Sequence, residues 1–143
     1  MSSDGLQMLD HTVQLTHEWI NELDGELGWN NRHRSFRLLR AVLHALRDCL
    51  PPAEVADLAA QLPTRLRGVF YEHWRPAQPD SGRWTLERFL ERLNASFRND
   101  PVEEDMADAA QVVFALLARR ISAGEIGDVL QTLPTEIRQL WLA

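Results

Sequence analysis

Leu58-Ala59-Ala60-Gln61-Leu62-Pro63-Thr64-Arg65-Leu66-Arg67-Gly68-Val69-Phe70 returns 71 positions later as Val129-Leu130-Gln131-Thr132-Leu133-Pro134-Thr135-Glu136-Ile137-Arg138-Gln139-Leu140-Trp141. Leu-Pro-Thr is identical in the two copies, as is the arginine three residues beyond it, and every large apolar position meets another apolar one. The agreement continues backwards at the same offset, where Glu54 meets Glu125, Asp57 meets Asp128, Leu46 meets Leu117 and Val42 meets Val113. Self-similarity at a fixed period marks one helical unit used twice.

Around that repeat, the apolar residues recur at three- and four-residue steps and nowhere alternate long enough to argue a strand. A first helix is expected from about His11 to Leu23, carrying Val13, Leu15, Trp19, Ile20 and Leu23, with Gly25 and Gly28 loosening the chain beyond it. Asn30-Asn31 offers an N-cap for a long second helix with Phe36, Leu39, Val42, Leu43, Leu46 and Leu50 as its apolar stripe. Pro51-Pro52 and Pro63 then start two short helices, since proline is tolerated where the first helical N–H lacks a partner. The second unit repeats the scheme. Thr85 caps a helix through Phe89, Leu90, Leu93 and Phe97, and Asp100-Pro101-Val102-Glu103 predicts a capped start for the long helix bearing Val113, Phe114, Leu117 and Ile121. Ser122-Ala123-Gly124-Glu125 is a second capping box, and Pro134 opens the last helix.

The expected fold is therefore all-α: a compact bundle of about eight helices built from two tandem four-helix repeats. Residues 1–10 are expected to fray, 11–143 to form one helical domain, and the pseudo-repeats to span 11–72 and 85–143 with a linker over 73–84 pinned at its ends by Trp74 and Trp84. The chain's 143 residues suit one domain, with roughly two-thirds of the extended-chain surface buried.

The paired pattern of a long helix, a short helix bearing Glu54 and Asp57 or Glu125 and Asp128, then Leu62-Pro63 or Leu133-Pro134 and a last helix resembles the bacterial family called domain of unknown function 2267. The resemblance covers about Thr12 to Trp141. It implies an all-helical fold and carries over no activity and no catalytic residue. The two halves differ at the start of the short helix, where Pro51 and Ala53 stand against Ser122 and Gly124.

Composition bounds the chemistry. All 15 basic residues are arginine, against 21 Asp and Glu, for a formal net charge of −6. This balance works against polyanions over the whole surface, makes nucleic acid an unfavoured partner, and leaves no lysine for a Schiff base. Cys49 is the sole cysteine, which excludes an intrachain disulfide and the cysteine-rich zinc patterns, and its place between Leu46 and Leu50 predicts burial. The opening residues lack the basic start and apolar run of a signal peptide, and no apolar stretch reaches membrane-span length, so a cytoplasmic protein is expected.

Three groups of residues are candidates for function. Glu54 with Asp57, and Glu125 with Asp128, lie three apart on one helical face, close enough to share a cation or divide acid and base work; the plainer reading is that they cap and solvate helix starts. Arg32, Arg34 and Arg37, continued by Arg40, His44 and Arg47, form a basic helix start, while the aligned positions Glu103, Asp105 and Asp108 are acidic. The two sets could pair across repeats or between molecules, stay solvated, or hold an anion. No histidine belongs to a zinc or H-E-x-x-H pattern, and no catalytic residue, metal or cofactor is assigned. The leading expectation is a non-enzymatic helical interaction module whose partner is a second copy or another protein. The alternatives are an anionic ligand or nucleic acid on the arginine helix, and an enzyme using a carboxylate pair beside His44 or His17.

Overall fold

Proline and cap residues cut the helical pattern into eight helices in the computed structural model, which describes residues 3–76 and 82–143. They are α1 Ser3–Leu27, α2 Arg32–Cys49, α3 Pro52–Ala60, α4 Thr64–Tyr71, α5 Leu86–Ala95, α6 Met106–Arg120, α7 Ala123–Thr132 and α8 Thr135–Leu142. Over the described residues the chain is an all-α, eight-helix bundle. The linker's centre, 77–81, lies outside the described residues; of its two ends, Trp84 is buried in the core and Trp74 packs half-buried against it.

Several boundaries differ from expectation for local reasons. α1 begins at Ser3, so residues 3–10, expected to fray, are helical, and it runs through Gly25 to end where Gly28 takes φ +68°. Glycine meets that left-handed conformation without a Cβ penalty, and its N–H closes on the Asp24 carbonyl at 3.0 Å. Asn31 does cap α2, its side chain accepting from the Arg34 N–H at 3.1 Å. The start of α6 is displaced. Asp105, not Asp100, is the N-cap, accepting from the Ala107 and Asp108 N–H groups at 2.7 and 3.3 Å.

The helices enclose one core, with Phe70, Phe89, Phe114, Leu23, Leu39, Leu43, Leu46 and Leu66 fully buried in it. Phe36, read as part of the apolar stripe of α2, is half-buried, and so is Trp141, which stacks on Phe114 with centroids 4.4 Å apart. Cys49 is half-buried too.

Helix pairing has a pattern of its own. α1 packs on α2, α4 and α6, while α5 packs on α6, α8 and α2. α2 packs on α6, and α3 on α7. The repeated arginine acts alike in both places: Arg67 donates to the Leu62 carbonyl at 3.1 Å and Arg138 to the Leu133 carbonyl at 3.0 Å. Each closes a carbonyl that the proline just after it keeps out of the helical ladder.

Candidate functional site

Because α3 packs on α7, the acids of their first turns converge. One carboxylate oxygen from each of Glu54, Asp57 and Glu125 can be chosen so that all three lie within 4.8 Å of one another. Glu54 is only 8 % exposed and Glu125 only 9 %, and the Oε2 atom of each is buried with no hydrogen-bond partner. These two acids are therefore not the solvated caps that their sequence positions suggest; Asp57 and Asp128 are exposed at the edge of the same seam.

The capping box at Ser122 explains how Glu125 is freed. Ser122 Oγ accepts from the Glu125 N–H at 3.2 Å, which is half of the box. The other half is missing because the Ser122 N–H donates across to Gln61 Oε1 at 3.3 Å, a contact that nothing local in the sequence announces. Burial, followed by the Glu54 carboxyl and the charges of Asp57 and Asp128, pushes Glu125 up to about 8. Desolvation and like charge both disfavour its ionised form.

The arginine helix is paired within the molecule. Arg34 grips Asp100 bidentately, its Nε donating to Oδ2 at 2.7 Å and a terminal nitrogen to Oδ1, and Arg37 adds a contact to Oδ2 at 3.1 Å. Hydrogen bonding from Arg34, aided by Arg37, holds Asp100 down to about 2. Pairing thus crosses from α2 to the segment that leads out of α5, but its acid is Asp100 in place of Glu103, Asp105 and Asp108. Those three are exposed: Asp105 caps α6, and Glu103 lines a cleft with Glu104, whose carboxylate accepts from Trp29 Nε1. Asp100 is legible in the sequence only as a cap, since nothing local announces two guanidinium groups from a distant helix.

The remaining cations of this helix are also engaged. Arg32 reaches Asn21 at 3.3 Å and Arg40 pairs with Glu72 at 3.1 Å. His44 Nε2 lies 2.7 Å from the Val69 carbonyl, tying α2 to α4, and burial pulls it below the usual histidine range despite that contact. Arg47 is 5 % exposed and serves the core: it donates to the Phe70 and Glu72 carbonyls and to Asp48, which Arg92 of α5 also holds at 2.8 Å. His44 is thus spent on α4, and His17 lines a groove between α1 and α4, so neither belongs to the carboxylate seam.

Because the Arg34–Asp100 pair is about one-third exposed on each side, we expect it to orient the halves more than to stabilise them. A double-mutant cycle of Arg34→Ala and Asp100→Ala in urea denaturation should show positive coupling. That coupling should shrink between ~0.1 and ~1 M NaCl, as the screening length falls from about 10 to about 3 Å. Strict additivity at low salt would mean that the contact is not held in solution.

At its N-terminal end, before the buried residues Trp19, Leu23 and Leu27, α1 leaves apolar side chains in solvent: Leu6 is 46 % exposed, Met8 71 % and Leu9 65 %. Met8 and Leu9 line a groove of about 550 Å³ together with Val13 and, from α4, Thr64 and Arg65. Among the described residues, no helix is long and apolar enough to cross a membrane.

No curated protein matches the chain. The family model described as uncharacterized conserved protein (DUF2267) matches residues 16–140. That span runs from within α1 to within α8 and takes in both Leu-Pro turns and the whole carboxylate seam. The chain belongs to the DUF2267 family of uncharacterized conserved proteins.

Proposed function

We propose that this domain is a non-enzymatic interaction module that associates with a second copy of itself through the N-terminal end of α1. The observation that carries this reading is the row of Leu6, Met8 and Leu9 left in solvent beside the groove between α1 and α4. Large exposed apolar side chains grouped at one end of a helix are what an interface needs and what an isolated surface ordinarily avoids. Asp10 is exposed on the same helix and Arg65 is exposed on the groove wall, so a two-fold related copy offers opposite charge to each end of the strip. Intramolecular pairing of Arg34, Arg37, Arg40 and Arg47 argues against an anionic or nucleic-acid ligand on that helix.

In this reading the bundle is two copies of one four-helix unit. Exchanging α1–α4 with α5–α8 turns α1·α6 into α5·α2 and α1·α4 into α5·α8, and leaves α2·α6 and α3·α7 unchanged, which supports a duplicated origin. The long α1 then breaks the internal symmetry, since α5 stops after ten residues while α1 runs for 25.

Light scattering at increasing protein concentration tests the proposal. The wild-type mass should rise from monomer towards dimer, and the double variant Met8→Glu/Leu9→Glu should stay monomeric with unchanged helicity. A wild type that remains monomeric throughout, or a variant that still dimerises, would reject this face as the interface.

A further inference from the structure

Two buried carboxyl groups facing each other across the seam between α3 and α7 cannot both ionise without a counter-charge, and either a shared proton or a cation can meet that need. Two arginines that follow these helices in the chain make their hydrogen bonds at the helix ends away from the glutamates. Arg67 sits on the C-terminal carbonyls Ala59, Ala60 and Leu62, beyond the last turn of α3, and Arg138 on the carbonyl of Leu133 beyond α7. Both glutamates instead occupy the first turns of their helices, where the positive end of each helix dipole relieves only part of the repulsion.

We propose that Glu54, Asp57 and Glu125 form a binding site for a hard divalent cation that bridges α3 and α7. Three carboxylate oxygens within 4.8 Å of one another can all reach one ion, because Ca²⁺ holds its oxygens at about 2.3–2.6 Å and opposite ligands then stand about 5 Å apart. An all-oxygen, anionic donor set selects Ca²⁺, Mg²⁺ or Mn²⁺ over the softer metals that favour imidazole and thiolate. The unpartnered Oε2 atoms of Glu54 and Glu125 supply the buried part of the site, and exposed Asp57 leaves one side open for entry and for water ligands. Asp128, exposed on α7, adds negative charge without belonging to the three.

A proton competes for the same place. Carboxyl groups this close together cannot all ionise unaided, and a carboxylate must be ionised to ligate, so ion uptake displaces whatever proton the pair shares. The cation would then fasten α3 to α7, one short helix from each half of the chain. This proposal stands apart from self-association through α1, which uses a different surface.

The test is calorimetric titration of CaCl₂, MgCl₂ and MnCl₂, separately, into the chelator-treated full chain at neutral pH, in two buffers of different ionisation enthalpy. Saturable uptake of a single ion is expected for at least one of the three, with proton release visible as a buffer-dependent heat. Affinity should fall at least about tenfold in Glu54→Gln and in Glu125→Gln, since even the loss of an outer-shell partner commonly weakens metal binding 10–100-fold. Asp57→Asn, at an exposed position that leaves the core intact, should weaken binding as well, whereas Glu103→Gln should not. Absence of saturable heat with all three salts overturns the site. So does affinity unchanged in the Glu54, Asp57 and Glu125 variants, which would place the ion on the exposed acids before α6.

Discussion

Replacing Arg47 by Met is expected to cost about 3–5 kcal/mol of folding stability, the range for removing one partner of a buried charge pair. The methionine keeps the apolar stem that packs between α2 and α4 but deletes the guanidinium that meets the Phe70 carbonyl at 3.0 Å, the Glu72 carbonyl and Asp48. Those carbonyls close α4, whose C-terminal groups have no helical partners of their own. Asp48 keeps Arg92 at 2.8 Å, so its charge is not stranded completely. Adding Asp48→Asn to Arg47→Met should therefore recover part of the loss. Urea denaturation of the wild type and both variants reads this directly. A cost for Arg47→Met below about 1 kcal/mol, the scale of an exposed pair, would mean that the guanidinium reaches solvent.

Arg47 also shows where sequence reading stops. Spaced from Arg40 and His44 along α2, it reads as the tail of one basic face, yet it is buried while Arg34, Arg37 and Arg40 remain partly exposed. Helical periodicity places residues around an axis to within a fraction of a turn, and it cannot say which neighbouring helix ends with open carbonyls above that spot. The same limit applies at Asp100. Asp-Pro-x-Glu is a strong local cap, but two arginines offering three contacts outcompete a single helical N–H, and the next Asp along, Asp105, takes the cap instead. What was legible, namely the helix count, the Leu-Pro turns and most of the core, depends on local period and on proline chemistry. The seam was half legible. Glu54 and Glu125 recur at one position of the repeated sequence, but recurrence alone does not say that the two short helices meet there. The crossing of α3 on α7 that turns this into burial depends on the whole bundle.

That burial has a consequence for the pH dependence of stability in chelator-treated protein. Glu125 titrates at an ordinary 4.5 when unfolded and is pushed up to about 8 when folded, by burial first and then by Glu54. Between those values the folded chain binds more protons than the unfolded chain, so the contribution of Glu125 is fully present below pH 4.5 and is lost as pH rises through 8. At about 1.4 kcal/mol per unit the loss approaches 5 kcal/mol as an upper limit, shared within a carboxylate pair that titrates together. Acid-side groups act in the opposite sense. Asp100 is held down to about 2 by Arg34, and for Asp48 the hydrogen bonds from Arg47 and Arg92 outweigh burial, so these contributions are lost as pH falls below the ordinary carboxylate range. His44, lowered by burial, adds stability as pH rises through the histidine range and would mask part of the Glu125 slope. Comparison with Glu125→Gln removes that ambiguity, because His44 is present in both proteins. The wild type should therefore lose stability relative to Glu125→Gln steadily from pH 5 to pH 8, with the variant the more stable of the two at pH 8. Parallel profiles from urea denaturation across that interval would mean that the two carboxyl groups are solvated, and the seam between α3 and α7 more open than its packing implies.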